Sequence, residues 1–391
     1  MSAAESVLPS AVAVRRHWWL LAAGLLLLLA FWLRWRYATT ISLYVDEFTS
    51  LWAARQVQTH GVPVMPSGVL YTRGLLASYV EAFFLTLFGF SYTVGRLPSL
   101  LFGLGAILAI FLCGRREWRG AVGWLAALGL ALLPEAIIWG ARARFYAQLQ
   151  FFALLAVWAA FAAMTDPGLR TSGSAQIPNS KFQNRLWLFP LLFVLALFSQ
   201  EETILLYPAL VLAALWWHGW RYFLRREVAV AHLICLLAMG VRLAIEILGQ
   251  PGYFETIQSA RPYLGWVFDL RGAWHVYGPL LMGPERILWT VAGLWSLLMV
   301  GLALRRAGWR PAALSPWEQA TLFFGLQFWA VLAVLFVFVG TSWREARYLL
   351  LVQPFWLLVG AAGLVRGGEW LFARLAGQPS DWLKGARPLV V

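Results

Sequence analysis

Two adjacent carboxylates, Asp46 and Glu47, are the residues of this chain best suited to chemistry. They follow the first long apolar stretch of a sequence in which only 13% of residues are charged, and Arg34 lies twelve residues before them. A carboxylate beside arginines can accept the proton of an attacking hydroxyl while the arginines neutralise charge on a departing phosphate. The alternative is that an Asp-Glu pair simply begins a helix or lies in a solvated turn.

The elements that must position these residues are apolar segments long enough to cross a membrane. Apolar residues make up 61% of the chain and the mean hydropathy is +0.69, values typical of an integral membrane protein. Windows of about 19 residues predict ten helical spans. They lie near 18–37, 94–113, 121–139, 147–164, 186–200, 203–217, 228–248, 286–304, 319–340 and 348–366.

The segment 74–90 decides the topology. It is apolar but short for the roughly 20 residues that a bilayer requires, and it carries Glu81 at its centre. If it does not cross, the basic clusters between spans fall on the side of Arg15 and Arg16, as the positive-inside rule requires. We therefore expect residues 38–92 to form one long external loop with a helix at the membrane face, and both termini to be cytoplasmic.

The charge pattern favours a membrane protein of the cell envelope over a nucleic-acid-binding protein. The net charge is +13, but the basic residues form short clusters between apolar segments. All basic residues predicted to be external are arginines, whose planar guanidinium suits phosphate. Since the chain has few lysines, this preference can also be compositional. Cys113 and Cys235 lie in apolar runs, which indicates neither a disulfide nor a cysteine metal site.

Four segments resemble the GT-C superfamily of membrane glycosyltransferases, in the branch of protein O-mannosyltransferases and aminoarabinose transferases of lipid A. They cover most of the first 165 residues and the last span, whereas the middle third matches only in hydropathy. The segments are LRWRYATTISLYVDEFTSLWAARQV (33–57), LYTRGLLASYVEAFFLTLFGFSYTVGRLPSLLFGLGAILAIFLCGRR (70–116), LLPEAIIWGARARFYAQLQFFALLAVW (132–158) and SWREARYLLLVQPFWLLVG (342–360).

The resemblance implies a fold and a set of site residues. The fold is an all-α polytopic bundle of about ten spans, with surface helices in the first external loop. Asp46 matches the catalytic carboxylate of that loop, with Glu47 as its partner. Other positions would bind the lipid phosphate or its sugar. These are Arg34, Arg73, Arg142, Arg144, Tyr146, Arg347 and Tyr348.

The activity that the resemblance implies is transfer of a monosaccharide from a polyprenyl-phosphate-linked donor. The acceptor is a hydroxyl of a lipid, glycan or protein on the extracytoplasmic face, and a single displacement inverts the anomeric centre. Several relatives use acidic residues of the second external loop together with a divalent metal. This chain has arginines there and only Glu135 nearby, so few hard oxygen ligands are present and no cofactor is assigned.

We expect a single transmembrane domain over residues 1–366 in the inner (plasma) membrane. A late external loop, 249–285, would recognise the acceptor, and a short basic cytoplasmic tail would follow at 367–391. The alternative is a polytopic transporter or lipid flippase, because ten spans with few buried charges also suit translocation. The sequence shows no internal repeat, and its charges concentrate at one face, which favours the enzyme.

Overall fold

Helices dominate the described part of the chain. The computed structural model describes residues 11–166, 180–250, 252, 255, 269–339 and 344–376. Within these residues there are fourteen α-helices and several 3₁₀ helices. Val64 and Leu70 form an isolated antiparallel β-bridge, and the described residues contain no β-strand. The predicted all-α architecture is confirmed.

The helices are numbered here in chain order. The first eight are α1 (Ala11–Thr40), α2 (Val45–His60), α3 (Leu75–Phe88), α4 (Tyr92–Glu117), α5 (Gly120–Leu132), α6 (Pro134–Trp139), α7 (Tyr146–Met164) and α8 (Ser180–Ser199). The remaining six are α9 (Leu206–His218), α10 (Arg226–Gly249), α11 (Leu270–Met282), α12 (Ile287–Arg306), α13 (Pro316–Val337) and α14 (Gln353–Leu375). The 3₁₀ helices are Glu201–Leu205, Trp220–Leu224, Pro311–Ala313 and Ala346–Leu351.

Every predicted span coincides with helical structure, but the helices vary in length. By length and composition, six helices in the described residues could cross a membrane: Trp19–Thr40 of α1, α4, α7, α10, α12 and α13. A continuous helix over 121–139 is wrong: α5 ends at Leu132, Leu133 has extended backbone with ψ 128°, and Pro134 begins a new helix, since a proline disfavours helical backbone at the residue before it. The last helix, α14, continues past the predicted boundary at residue 367 to Leu375, and the division into a membrane domain and a tail stays a prediction. The total of ten crossings stays a prediction.

The first external loop carries two helices, as expected. At fourteen residues, α3 is about 21 Å long, less than the roughly 30 Å hydrocarbon core of a bilayer. It packs on α2 through a small apolar cluster that includes Leu51, Ala54, Ala82 and Leu85. Because polar and charged residues recur along the whole of α2 and α3 is short, the pair is suited to the membrane face rather than to a crossing.

The spans pack closely where small residues meet. A Cβ atom on Gly123 of α5 would lie 2.4 Å from the Phe111 carbonyl oxygen of α4. A Cβ atom on Gly363 of α14 would lie 2.0 Å from the Ala292 carbonyl oxygen of α12. Backbones in contact are characteristic of helix packing in membranes, where small residues allow close approach.

Gly363→Ala should destabilise the protein by about 1–3 kcal/mol, because the added methyl group must push α14 away from α12. Gly368→Ala is the matched control on the same helix, since a Cβ atom at Gly368 would meet nothing within 4 Å. There the higher helix propensity of alanine should raise stability by about 1 kcal/mol at most. Unfolding by SDS in mixed micelles measures both changes, and equal effects of the two substitutions would contradict the packing described.

Candidate active site

Three predicted site residues converge at the N-terminus of α2. Asp46 is the second residue of that helix, Arg144 lies in the short segment between α6 and α7, and Arg347 lies on the 3₁₀ helix Ala346–Leu351. They are separated in sequence by 98 residues between Asp46 and Arg144, and by 301 between Asp46 and Arg347. The fold therefore assembles one carboxylate and two guanidinium groups from three distant segments.

The Asp46 carboxylate is oriented through one of its two oxygens. Its Oδ2 accepts a hydrogen bond of 2.5 Å from Arg347 Nη1 and lies 3.5 Å from Arg144 Nη2. The side chain is 28% exposed, and among the described residues no hydrogen bond to its Oδ1 occurs. One oxygen is thus fixed by cations while the other is free to meet a hydroxyl group.

Arg144 is held rigidly from both its side chain and its backbone. Its Nη1 donates to the Tyr71 hydroxyl at 2.8 Å, to Ser50 Oγ at 2.9 Å and to the Asp46 carbonyl oxygen at 3.0 Å. Its own carbonyl oxygen accepts from Ser99 Oγ on α4 at 2.6 Å. With 4% of the residue exposed, this guanidinium is a fixed positive charge beside Asp46.

Arg347 bridges two carboxylates and lies near two aromatic rings. Its Nη2 bonds to Glu345 Oε1 at 2.5 Å, and its guanidinium lies 5.7 Å from the centroids of Trp139 and Tyr146. Burial lowers the pKa of Arg347, but Tyr146, Asp46 and Glu345 together outweigh burial and raise that pKa above its usual value. Arg347 therefore carries a positive charge at neutral pH.

Glu47 differs from its neighbour because its carboxylate is fully engaged. Arg96 of α4 holds it with two hydrogen bonds, Nε to Oε1 at 2.8 Å and Nη2 to Oε2 at 2.9 Å. The backbone amides of Ala143 and Tyr44 donate to the same two oxygens, each at 2.9 Å. Glu47 has no exposed surface, and it joins the start of α2 to α4 and to the segment that carries Arg144.

Two more of the predicted cations, Arg142 and Arg73, lie near this centre. Arg142 packs against the rings of Tyr44 and Trp139, at 4.4 and 5.0 Å, and so shares Trp139 with Arg347. Arg73 is exposed, has no ion pair within the described residues, and lies in electrostatic range of Tyr348. Neither Arg142 nor Arg73 is neutralised by a carboxylate in the described part of the structure.

Arg34 is not part of this centre. Its guanidinium donates to the carbonyl oxygens of Leu130 and Ala131, at 3.1 and 3.2 Å, in the last turn of α5. It fits between Gly103 and Gly140, where added Cβ atoms would lie 3.3 and 2.9 Å from its Nε atom. Arg34 is 1% exposed and connects α1 to the negative end of α5.

Glu81, at the centre of α3, is a buried carboxyl group close to the residues that hold Asp46. It is 2% exposed and lies in electrostatic range of Arg144 and Glu47. Burial is the main cause that raises the pKa of Glu81 to about 8; Arg144 opposes the rise and Glu47 adds to it. The carboxyl group is therefore neutral at pH 7, which explains how α3 can bury it.

Sequence reasoning missed Arg96, Ser50 and Tyr71. Arg96 lies within the 70–116 segment that carries the family resemblance, and Ser50 follows Asp46 by one helical turn, so both had a signal in the sequence. Nothing in the sequence marks Tyr71. In the late loop, residues 251, 253–254 and 256–268 lie outside the described residues. The described side chains form no cluster of three or more potential metal ligands.

Comparison with known proteins defines the class. Residues 72–244 match the model of the dolichyl-phosphate-mannose-protein mannosyltransferase family, which is under half of the chain. A search of curated proteins finds no match. Solved structures of similar fold include ArnT and an archaeal oligosaccharyltransferase, and the chain therefore has the GT-C fold. Because six helices in its described residues are long and apolar enough to cross a membrane, it is a multi-pass membrane protein.

Two solved structures illustrate the similarity. ArnT from Cupriavidus metallidurans bound to undecaprenyl phosphate has a TM-score of 0.64 at 16% identity, covering 92% of this chain and 64% of the ArnT chain. The archaeal oligosaccharyltransferase AglB from Archaeoglobus fulgidus, in complex with an inhibitory peptide and a dolichol-phosphate, has a TM-score of 0.58 at 13% identity, covering 96% and 53%. The chain spans less than two thirds of the length of either protein.

Proposed function

We propose that this protein is a glycosyltransferase that moves a monosaccharide from a polyprenyl-phosphate-linked donor to an acceptor hydroxyl. The observation that carries the proposal is the Asp46 carboxylate, fixed through Oδ2 by Arg347 and Arg144 with Oδ1 free. The match of residues 72–244 to a family named for a dolichyl-phosphate-mannose donor supports the donor class. The structures with undecaprenyl phosphate and dolichol-phosphate support it as well.

The reaction is a single displacement at the anomeric carbon of the donor sugar. The acceptor hydroxyl oxygen forms a bond to this carbon as the bond from the carbon to the phosphate oxygen breaks, so the configuration inverts. The polyprenyl phosphate leaves with the electron pair of the broken bond. Asp46 Oδ1 accepts the proton of the attacking hydroxyl, which general base catalysis requires.

The charge of the site suits the departing phosphate. Arg144, Arg347, Arg142 and Arg73 carry four positive charges, and the carboxylates of Asp46 and Glu345 neutralise two of them. Two positive charges remain. A phosphodiester donor has one negative charge and the phosphate monoester released has up to two, so the site favours the product of bond breaking.

Glu47 acts, in this proposal, as a positioning residue rather than a reacting group. All of its hydrogen bonds are made within the protein, to Arg96 and to two backbone amides. It fixes the first turn of α2 and so sets the direction of the Asp46 side chain. Arg34, whose donors are taken by carbonyl oxygens of α5, is likewise proposed to support the fold rather than to bind substrate.

We place the protein in the inner (plasma) membrane with both termini in the cytoplasm. The positive-inside distribution of basic residues supports this orientation, which puts α2, α3 and the Asp46 centre on the extracytoplasmic side. The acceptor is then a lipid, glycan or protein of the envelope, reached from that side.

Undecaprenyl phosphate should bind to the purified protein, and Arg73→Ala and Arg142→Ala should each weaken binding by tenfold or more, because each removes a cation without a carboxylate partner. Arg55→Ala is the matched control: Arg55 is exposed on α2 and interacts with Gln58 and Phe90 instead of the site. Binding is measured by thermal stabilisation in detergent, with undecaprenol as the ligand without phosphate. Equal binding of undecaprenol and undecaprenyl phosphate would refute the phosphate site.

The enzyme assay uses the whole protein in sealed proteoliposomes with radiolabelled undecaprenyl-phosphate-linked mannose, glucose or aminoarabinose and envelope acceptor extracts. Transfer from one of these donors is expected. Movement of label across the bilayer without cleavage of the sugar-phosphate bond would indicate a flippase instead.

A further inference from the structure

A further acidic residue, Glu202, lies near the candidate active site. The 3₁₀ helix Glu201–Leu205 connects α8 to α9 and packs against the 3₁₀ helix that carries Arg347. Its two glutamates point to different places. Glu201 pairs with Arg242 of α10 at 3.0 Å, whereas Glu202 lies in electrostatic range of Arg347 and Tyr348.

The carboxyl group of Glu202 is incompletely paired. Its Oε1 accepts a hydrogen bond from Gln200 Nε2 at 3.2 Å, but Oε2 is shielded from solvent and has no partner among the described residues. The Tyr277 hydroxyl on α11 interacts electrostatically with Glu202, is buried, and has no hydrogen-bond partner among the described residues. Gln200 Oε1 is likewise buried without a partner among these residues. Buried polar atoms in folded proteins nearly always have partners. Three such atoms on or near Glu202 therefore indicate a polar ligand.

The geometry points to Glu202 as a residue that binds the transferred sugar, its Oε2 forming a hydrogen bond with a sugar hydroxyl while the Tyr277 hydroxyl binds a neighbouring one. This inference rests on the proposed function. A monosaccharide presents several hydroxyl groups at close spacing, each able to donate and to accept, which matches a set of unpaired carboxyl, amide and phenol oxygens. Asp46 and Arg347 would act at the anomeric carbon and the phosphate, and Glu202 at the sugar ring.

The protonation state of Glu202 supports a hydrogen bond to a neutral ligand. Burial is the main cause that raises its pKa to about 8; Gln200 and Arg347 oppose the rise, and Glu201 and Glu345 add to it. The ionisable and charged groups that face it are Tyr146, Glu201, Tyr277, Glu345, Arg347 and Tyr348. Below pH 8 the carboxyl group is protonated and can both donate to and accept from a hydroxyl. Above pH 8 it ionises and loses the donor.

The test compares Glu202→Gln and Glu202→Leu in the sugar-transfer assay from pH 6 to pH 9.5. An amide reproduces the donor and acceptor of the protonated carboxyl group, so Glu202→Gln should keep kcat/KM within about threefold at pH 7 and should lack the decline of the wild type above pH 8. Glu202→Leu should lower kcat/KM by about 10–100-fold, as expected for the loss of a buried hydrogen bond to substrate. Glu201→Gln, with its carboxyl group on Arg242, is the control and should keep the alkaline decline.

Monodeoxy donors distinguish contact with the sugar from a structural role. One of these donors lacks the hydroxyl group that Glu202 binds. With that donor the wild type should transfer sugar more slowly than with the intact donor, whereas Glu202→Leu should transfer both at the same rate. The inference is overturned if Glu202→Leu transfers sugar at the wild-type rate or if Glu202→Gln keeps the alkaline decline. It is also overturned if, for every deoxy donor, the loss of the hydroxyl slows Glu202→Leu as much as it slows the wild type. If the wild type transfers no sugar at all, the proposed function itself fails; active wild type with unaffected Glu202 variants refutes this inference alone.

Discussion

Asp46→Asn should lower sugar transfer by about three orders of magnitude while the protein still folds and binds undecaprenyl phosphate. Asparagine has the shape of aspartate and its carbonyl oxygen can still accept from Arg347, so the hydrogen bond seen at Oδ2 survives. What is lost is the oxygen that takes the proton from the acceptor, and a general base contributes about 10²–10⁴-fold to rate. Initial rates with a labelled undecaprenyl-phosphate-linked donor give the measurement, and the affinity for undecaprenyl phosphate gives the folding check.

Asp166→Asn is the matched control for that substitution. Asp166 follows α7 at the end remote from Tyr146 and pairs with Arg185, so the same change of side chain occurs far from the site. Its rate should stay within about twofold of the wild type, because the Asp166–Arg185 pair does not contact Asp46, Arg144 or Arg347. If Asp46→Asn and Asp166→Asn transferred sugar equally well, Asp46 would have no catalytic role.

Arg96→Met should destabilise the protein by about 3–5 kcal/mol, the cost of leaving a buried carboxylate without its cation. Glu47 would keep two backbone donors but lose both guanidinium hydrogen bonds, in a position with no exposed surface. Methionine retains much of the arginine stem, so lost packing makes a small contribution. The free energy of unfolding, from SDS titration in mixed micelles, measures the change.

Arg119→Met is the matched control, because it makes the same substitution in an exposed ion pair. Arg119 and Glu369 are about half exposed, at 50% and 42% of their side chains. Such pairs contribute roughly 0–1 kcal/mol. Similar losses for Arg96→Met and Arg119→Met would mean that the Glu47 pair does not anchor α2, and the positioning role of Glu47 would then be wrong.

Composition and hydropathy predicted the fold class because a bilayer imposes length and polarity on every span. Where the sequence misled, local chemistry explains the difference. A continuous apolar run over 121–139 does not form one helix, because Pro134 lacks an amide proton and its ring disfavours helical backbone at Leu133. Hydropathy averages do not register this effect, since proline does not interrupt the apolar character.

The site was harder to predict than the fold. Asp46 and Glu47 are both carboxylates, and only the start of α2 at Val45 distinguishes them. The side chain of the third residue of a helix can accept a hydrogen bond from the backbone amide of the capping residue, and Glu47 accepts one from Tyr44. Arg34 and Arg347 both lie near the outer ends of apolar segments. Their different partners, carbonyl oxygens of α5 and the Asp46 carboxylate, depend on helix packing that spacing in the sequence does not record.

One turn of α4 supports both sides of the candidate centre. Arg96 holds the start of α2, which carries Asp46, and Ser99, three residues later, holds the backbone of Arg144. A shift or rotation of α4 therefore moves Asp46 and Arg144 as one rigid unit, with their separation preserved. Arg347 belongs to another segment, the 3₁₀ helix Ala346–Leu351, and has no contact of this kind with α4 in the described part of the chain. The distance from Asp46 to Arg144 is therefore fixed through α4, whereas both distances to Arg347 depend on how that 3₁₀ helix is placed.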